Sequence, residues 1–302
     1  METKKVLFVC TGNSCRSPMA EGLLRKMVEG EQQIDVFSAG TAPLSGLPSS
    51  KEAVEVMKNK GIDITNHKSH QVTLEDIGKA DLIITMTERH KREVLSMAPK
   101  AKDKIFLLKE FDDNAKAGQM DVADPVGLGI DVYQECLREI KNALPNIVLE
   151  LLKDGRKSSI AIGCDHGGYE LKEKIKSFLR EEKYGCVDFG CFNTTSVDYP
   201  DYGKSVAKAV SLKKYDRGVL VCSTGVGMSM VANKVKGVRA ALCHNELTAK
   251  MSREHNNANI LVLGEKMVTA EEALKMVTVW LNTEFEGGRH ERRVSKIMEL
   301  DN

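Results

Sequence analysis

The chain has 302 residues, 44 basic and 43 acidic side chains, and eight cysteines. This near-neutral balance gives no electrostatic reason to expect binding to nucleic acid or to a membrane surface. No apolar run reaches the roughly 20 residues that a membrane-spanning helix needs, and the first apolar stretch is too short for a signal peptide. Eight cysteines in a chain of this length do not suggest a disulfide scaffold, so we expect reduced thiols in the cytoplasm.

Short apolar runs alternate with longer helical patterns along the whole chain. The first half predicts strands 6–9, 34–38, 81–86 and 104–108, and helices 19–29, 49–60, 88–96 and 130–152. The second half predicts strands 159–163, 186–189, 218–222, 238–242 and 259–263, and helices 169–182, 202–212, 227–234, 246–253 and 270–282. This alternation predicts an α/β protein with two consecutive domains, each a parallel sheet flanked by helices. We expect the domains at residues 1–153 and 158–302, with the polar segment 153–158 as the linker.

Residues 10–17, with the sequence CTGNSCRS, connect the first predicted strand to a helix that starts near Ser17 and Pro18. Proline suits the first turn of a helix. A short loop between a strand end and a helix start aims backbone N–H groups and the positive end of the helix dipole at one point. That point attracts a phosphate dianion and stabilises a thiolate at Cys10, while the Arg16 guanidinium can hold two phosphoryl oxygens. These residue types at this spacing predict a phosphatase site.

The segment 9–21, residues 38–41 (SAGT) and the Asp-Pro pair that begins at Asp124 together resemble the low-molecular-weight protein phosphatases. The resemblance covers the first half of the chain and implies a phosphatase I-like fold with a thiophosphate intermediate on Cys10. It implies that Asp124 protonates the leaving group and then activates water, with Asp121 as the fallback. It also implies that Arg16 and the loop bind the substrate phosphate, through Thr11, Gly12, Asn13, Ser14, Cys15 and Ser17.

We expect no metal or other cofactor in this site, because Arg16 and the loop amides already offset the phosphate charge. The three-residue spacing of His67 and His70 is too weak to predict a metal site, and we interpret both as surface histidines. The substrate stays open between protein phosphotyrosine and phosphoarginine. Tyrosine-specific members of the family usually carry an aromatic residue where this chain has Val126, and a bulky aliphatic residue where it has Ser14. Arginine phosphatases share the small hydroxyl residue but tend to be aromatic at the position of Val126.

Glycine-rich and polar turns follow the predicted strands of the second half. Gly225 and Gly227 come directly after strand 218–222, a pattern that alone indicates only a tight turn. Polar loops at 164–168 and 198–202, the end of a helical run at 252–256 and a basic cluster at 286–293 accompany it. Together these segments resemble the B-type ribose-5-phosphate isomerases and the related galactose-6-phosphate isomerases, from about residue 158 to about residue 298. The resemblance implies a Rossmann-like isomerase domain.

The same resemblance implies a proton transfer between adjacent carbons through an enediolate, with Cys222 as the base. Amides of the turn 223–227 would stabilise the developing oxyanion, and His255 and Asp165 would open the furanose ring. The other implied contacts to the sugar and its phosphate are His166, Tyr199, Ser223, Thr224, Gly225, Gly227, Asn256, Arg289 and Arg293. The family builds its site across a dimer, so we expect a homodimer in which His255 or the C-terminal arginines serve the partner chain.

These observations predict a bifunctional enzyme that dephosphorylates proteins and interconverts ribose 5-phosphate and ribulose 5-phosphate, a reaction of pentose phosphate metabolism. Two alternatives stay open. The second half could act on a hexose 6-phosphate, such as that of galactose or allose. Alternatively, one half could be a non-catalytic module for dimerisation or sensing, although Cys10, Arg16, Asp124, Cys222 and His255 are all present.

Overall fold

The computed structural model describes residues 3–29, 34–151 and 159–301. The chain divides into two compact units, Met1–Lys153 and Asp154–Asn302. The predicted linker at residues 153–158 lies outside the described residues. Each unit contains one parallel sheet flanked by helices, with four strands in the first and five in the second, which confirms the predicted fold class. Among the helices that the structure describes, none is long and apolar enough to cross a membrane.

The first unit is built on a sheet with the strand order β2-β1-β3-β4. Its strands are β1 Lys4–Cys10, β2 Ile34–Gly40, β3 Leu82–Thr85 and β4 Ile105–Leu107. Its α-helices are α1 Arg16–Met27, α2 Lys51–Lys58, α3 Leu74–Lys79, α4 Glu88–Met97 and α5 Ile130–Leu151. Because β1 pairs in parallel with both β2 and β3, the loop that follows it starts in the middle of one sheet edge.

Burial and helix capping explain why these segments form. Residues 6–9 of β1 are completely buried, as is typical of a parallel strand that is covered on both faces. Ser50 and Thr87 are the N-caps of α2 and α4, and each side chain accepts a hydrogen bond from the backbone N–H three residues later. Such caps contribute about 1 kcal/mol each. The cap fixes the residue at which α4 begins, and the first turn of this helix lies next to the loop that follows β1.

The second unit is built on a sheet with the strand order β6-β5-β7-β9-β8. Its strands are β5 Ser159–Cys164, β6 Gly185–Asp188, β7 Arg217–Cys222, β8 Ala240–Leu242 and β9 Ile260–Gly264. Its α-helices are α6 Tyr169–Glu181, α7 Tyr199–Ser211, α8 Val226–Ala232, α9 Glu246–Glu254, α10 Ala270–Asn282 and α11 Arg289–Met298. Cys222 pairs with Gly264, so β7 and β9 end together at the carboxyl edge of the sheet.

The structure differs from the predicted elements in three places. The sequence patterns do not predict α3, which has only six residues, or α11, in which only His290 and Val294 are buried. The short length of α3 and the narrow apolar stripe of α11 leave little hydrophobic periodicity in the sequence for either helix. The prediction of a polar loop at residues 198–202 is wrong, because α7 begins at Tyr199. Pro200 lies in the first turn of that helix, where its missing N–H costs no hydrogen bond.

Candidate active sites

The first candidate site is the loop between β1 and α1. Cys10 is the last residue of β1 and is buried. Its Sγ lies 3.0 Å from Ser17 Oγ and accepts a hydrogen bond from the Asn13 N–H at 3.2 Å. The helix α1 begins at Arg16, so the positive end of its dipole lies beside the loop. The sulfur therefore lies between a backbone N–H and a hydroxyl group, close to the start of α1.

Asn13 fixes the bend of this loop. Its φ is 49°, a left-handed conformation that few non-glycine residues adopt. Its amide nitrogen donates to Ser17 Oγ at 3.0 Å and Ser38 Oγ at 2.8 Å, while its Oδ1 accepts the His70 N–H at 3.1 Å. His67 Nε2 lies 2.8 Å from the Asn13 carbonyl oxygen. The interpretation of His67 as a surface histidine is therefore wrong, because the ring is mostly buried against the loop, whereas His70 is exposed.

Arg16 connects the loop to the predicted general acid. The side chain is 4% exposed, Nη1 donates to the Val122 carbonyl at 3.2 Å, and Nη2 forms an ion pair with Asp124 Oδ2. The Asp124 side chain is 48% exposed, so its carboxylate lies at the protein surface. Asp121, the alternative candidate for the general acid, instead accepts a hydrogen bond from the Glu88 N–H at 2.8 Å, at the start of α4. Of the two carboxylates, Asp124 is the one that contacts the loop arginine.

The side chain of Cys15 points into the unit. Its Sγ lies 3.3 Å from Tyr133 OH and 3.4 Å from Ser50 Oγ. Burial, followed by the hydrogen bond with Cys15, raises the pKa of Tyr133 to about 12. Ser14 Oγ is 3.6 Å from the same sulfur and is partly exposed. Cys15 can therefore contribute its backbone amide to a phosphate, while its thiol remains tied to α5 and to the start of α2.

The second candidate site begins at the carboxyl edge of the second sheet. Cys222 is the last residue of β7, and its Sγ accepts a hydrogen bond from the Gly225 N–H at 3.1 Å. Gly225 has a φ of 81° and starts α8, so only a residue without a side chain fits there easily. A Cβ on Gly227 would lie 2.8 Å from the Tyr199 ring, which therefore covers the start of α8. Thr224 is exposed at the top of the turn.

The turn after β5 packs against the turn after β7. A Cβ on Gly167 would lie 2.2 Å from Ser223 Oγ, so the two turns are in close contact. Asp165 is buried and accepts the Gly167 N–H at 3.0 Å, and burial raises the pKa of its carboxyl group. His166 Nδ1 accepts the Val197 N–H at 3.2 Å. The structure thus brings together eight of the predicted isomerase residues, Asp165, His166, Tyr199, Cys222, Ser223, Thr224, Gly225 and Gly227.

The other four predicted isomerase residues lie at the opposite edge of the sheet. His255 follows the last residue of α9 and precedes β9, so it lies where β9 begins rather than where it ends. Asn256 accepts a hydrogen bond from Arg239 Nε just ahead of β8. Arg289 and Arg293 lie on α11, whose His290 ring stacks on His255. The edges are separated by the six residues of β7, roughly 17 Å of extended chain. A single copy of the unit therefore does not bring His255 to Cys222.

His255, Glu286 and His290 form the one group of described residues whose side chains could together approach a metal ion, with ligand atoms within 4.8 Å of one another. The imidazole rings of His255 and His290 are stacked, with centroids 4.2 Å apart and an interplanar angle of 2°. A metal ion must lie close to the plane of each imidazole that binds it, and two parallel planes share no such position. Arg289 Nε also donates to His290 Nε2 at 3.2 Å. These donors do not fit a metal ion as they are arranged.

Sequence reasoning missed the residues that support the first loop, His67, Ser38 and His90. His90 Nε2 lies 2.8 Å from Thr11 Oγ1. Each is far from the loop in the chain, and each reaches it only after the strands have paired. The one signal in the sequence was that Ser38 belongs to the SAGT segment at the end of β2.

Each half of the chain matches a family of known proteins. Residues 5–157 match the family described as low molecular weight phosphotyrosine protein phosphatase, and residues 160–297 match the family described as ribose/galactose isomerase. Ribose-5-phosphate isomerase B of Escherichia coli strain K12 is 42% identical over 142 residues, which are 47% of this chain and 95% of that protein.

Solved structures resemble each half. That of Clostridium thermocellum ribose-5-phosphate isomerase B is 54% identical and covers 47% of this chain and 97% of its own, with a TM-score of 0.47. A low molecular weight protein tyrosine phosphatase from T. tengcongensis is 39% identical and covers 49% of this chain and 99% of its own, with a TM-score of 0.46. The chain therefore belongs to both families, as a fusion of an N-terminal low molecular weight phosphotyrosine protein phosphatase domain with a C-terminal ribose/galactose isomerase domain.

Proposed function

We propose that the chain is a bifunctional cytoplasmic enzyme, a protein phosphatase in its first half and a sugar-phosphate isomerase in its second. The contact between Arg16 and Asp124 carries the phosphatase proposal, because it links a carboxyl group to the loop that holds Cys10. The free thiols of all the cysteines support a reducing compartment.

The phosphatase reaction has two displacement steps. The Cys10 thiolate attacks phosphorus, and the new S–P bond forms as the bond to the leaving group breaks. Asp124 gives its proton to the leaving group. The Asp124 carboxylate then takes a proton from water, whose oxygen attacks phosphorus and releases phosphate and the Cys10 thiolate. Arg16 and the loop amides stabilise the equatorial oxygens in both steps.

The substrate of this half is a protein phosphotyrosine or phosphoarginine. Ser14 is small and partly exposed, which leaves room beside the loop for a planar guanidinium and offers it a hydrogen-bond acceptor. Val126 is 61% exposed and supplies no ring that would stack on a phenol. Leu44 and Leu128 are also exposed, at 77% and 53%, and add apolar surface for contact with a protein substrate.

The isomerase reaction moves one proton between neighbouring carbons of ribose 5-phosphate. After His255 and Asp165 open the furanose ring, Cys222 takes the proton from C2, which gives an enediolate, and O1 is protonated to give the enediol. Cys222 then returns its proton to C1 as O2 loses its hydroxyl proton and becomes the carbonyl oxygen of ribulose 5-phosphate. The hydrogen bond from the Gly225 N–H to Cys222 Sγ carries this proposal, because it stabilises the thiolate that acts as the base. The raised pKa of Asp165 suits a carboxyl group that gives and takes a proton.

The remaining side chains bind the substrate. His166, Arg289 and Arg293 hold the phosphate, and Tyr199, Thr224 and Asn256 contact the sugar hydroxyls. Ser223 and Gly227 contribute backbone amides that face the enediolate oxygen, whereas the Gly225 N–H is directed at Cys222 Sγ.

The isomerase site requires two copies of the chain. Cys222 and His255 lie at opposite edges of one sheet, so a complete site needs the carboxyl edge of one copy and the amino edge of another. Exposed apolar residues support a homodimer through this unit. Val226 and Met230 lie four residues apart on α8, and Leu247 and Met251 lie four apart on α9, all between 40% and 64% exposed. A second copy would cover such a surface.

Two alternatives follow from the same residues. The second half could act on a hexose 6-phosphate, of galactose or allose, since the phosphate-binding arginines would serve either sugar. One half could instead be a non-catalytic module for dimerisation or sensing. Assays of the purified chain with phosphotyrosine and phosphoarginine peptides, ribose 5-phosphate, allose 6-phosphate and galactose 6-phosphate separate these cases. A chain that converts none of the sugar phosphates would reject the isomerase, and one that releases no phosphate from either peptide would reject the phosphatase.

A further inference from the structure

His90 connects the phosphate-binding loop to α4 through both of its ring nitrogens. Its Nε2 lies 2.8 Å from Thr11 Oγ1, and its Nδ1 lies 2.9 Å from Thr87 Oγ1. Thr11 directly follows Cys10 in the loop, and Thr87 is the N-cap of α4. The His90 side chain is 2% exposed, so water does not compete freely for either hydrogen bond. The imidazole is therefore a fixed bridge between the helix and the loop.

The bridging ring is neutral at neutral pH. Burial, followed by the positive charge of Arg16, lowers the pKa of His90 to about 4, although the carboxylates of Glu93 and Asp124 oppose this shift. A neutral imidazole has one donor and one acceptor nitrogen, and a hydroxyl group can complement either. Both hydrogen bonds to threonine therefore form whichever nitrogen carries the proton.

Thr11 is held on its other side by the segment that follows β2. Its carbonyl oxygen accepts the Ala42 N–H at 3.0 Å, and a Cβ on Gly40 would lie 2.5 Å from that oxygen. The backbone of Thr11 is thus anchored towards β2, while its side chain is anchored to His90. If His90 were removed, only the backbone anchor would remain.

We propose that His90 is a positioning residue of the phosphatase site, which fixes Thr11 so that the amides following Cys10 stay aimed at the phosphoryl group. This inference rests on the phosphatase activity proposed above. The loop amides bind the substrate phosphate, but they stabilise the equatorial oxygens of the transition state more strongly. Loss of the bridge should therefore lower kcat more than it raises KM.

Two replacements of His90 separate its two hydrogen bonds. The amide of His90→Gln reaches the position of Nε2 and keeps the bond to Thr11, whereas that of His90→Asn reaches the position of Nδ1 and keeps only the bond to Thr87. With p-nitrophenyl phosphate as the substrate, we expect His90→Gln to keep most of the wild-type kcat and His90→Asn to lose about tenfold. Orthovanadate, which mimics the transition state, should lose more affinity for His90→Asn than inorganic phosphate does.

Thr11→Val removes the same hydrogen bond from the loop side, so the test does not depend on the folding of one variant. We expect it to lose as much kcat as His90→Asn, and the double variant to lose no more. Equal kcat values for the Gln and Asn variants, or a wild-type kcat for Thr11→Val, would overturn the role of His90. A folded wild-type chain that hydrolyses no aryl phosphate would instead reject the proposed phosphatase, and the role of His90 with it.

Discussion

The two candidate sites begin with the same local structure, a strand that ends in a cysteine and is followed by a turn and a helix. They differ in where their other residues lie. In both, a strand ends in a buried cysteine whose sulfur accepts a backbone N–H three residues later, from Asn13 in the first unit and from Gly225 in the second. In the first site, Arg16 lies six residues after Cys10, and the carboxylate of Asp124 lies in the same unit. The second has Asp165 beside Cys222, but four of its predicted residues, among them His255, lie at the opposite edge of the sheet. A strand-turn-helix thus presents a cysteine sulfur to a backbone N–H in both units, and the two proposed sites differ in whether one copy or two complete them.

Removal of each cysteine gives the largest expected effect and tests whether the sites are independent. We expect Cys10→Ser to lower the phosphatase kcat by at least about 1000-fold and leave isomerase turnover nearly unchanged, and Cys222→Ala to do the reverse. Initial rates of both reactions, measured on the same protein preparation, check this. If thermal denaturation shows that either variant is folded and that variant has lost both activities, the two sites are not independent.

Mixing of inactive variants tests whether the second site is shared between copies. We expect Cys222→Ala and His255→Asn each to lose isomerase activity. After a 1:1 mixture is denatured and refolded, half of the dimers should contain one of each variant, and each such dimer has one intact site. The mixture should therefore regain about one quarter of the wild-type activity.

A same-edge pair supplies the control for this mixture. Asp165→Asn and Cys222→Ala both alter the carboxyl edge, so their mixed dimers contain no intact site and should regain nothing. Absence of recovery with His255→Asn would show that each copy holds a complete site of its own. Recovery in the control would show instead that Asp165 and Cys222 of one copy do not serve the same site.

Cys10 and Cys222 should respond differently to oxidation, because only Cys10 has a second cysteine close to it in the chain. The loop of the first site carries Cys15 five residues after Cys10, whereas the turn 223–227 after Cys222 contains no cysteine. Peroxide converts the Cys10 thiolate to a sulfenic acid, which condenses with the Cys15 thiol to a disulfide and water. Cys15 must first leave its contacts with Ser50 and Tyr133.

We therefore expect dithiothreitol to restore most of the phosphatase activity after peroxide treatment, and to restore the isomerase less completely. In Cys15→Ala, recovery of the phosphatase should fall sharply, because the sulfenic acid is then open to further oxidation. Assays of both activities before oxidation, after it and after reduction measure this. Unchanged recovery in Cys15→Ala would leave Cys15 with a packing role only.

The sequence was sufficient for the fold class and for the places at which the candidate loops follow β1 and β7. The apolar strands next to glycine-rich turns predict β1 and β7, and the spacing from Cys10 to Arg16 predicts the phosphate loop. The residues that hold this loop from other parts of the chain could not be predicted from the sequence, because His90 contacts Thr11 only when β3 and α4 pack beside β1. The motifs alone did not place His255 at one edge of the sheet, although the isomerase resemblance implied that it or the C-terminal arginines serve the partner chain. That His255 lies opposite Cys222 follows from the direction of α9, which no single motif encodes.

The smallest expected effect concerns the choice of substrate at the first site. Ser14 belongs to the same copy as Cys10, so its effect on this choice does not depend on a second copy of the chain. We expect wild-type protein to cleave phosphoarginine at least as well as phosphotyrosine, because Ser14 Oγ can accept an N–H of the guanidinium, whereas a phenol has no such donor. Ser14→Ile should crowd the guanidinium edge and shift the ratio of kcat/KM values about tenfold towards phosphotyrosine, which is about 1.4 kcal/mol of transition-state binding. Ser14→Ala is the matched control, since it removes the hydroxyl without adding bulk and should shift the ratio less. If the wild type does not cleave phosphoarginine and Ser14→Ile changes nothing, the first site acts on phosphotyrosine alone and Ser14 does not determine specificity.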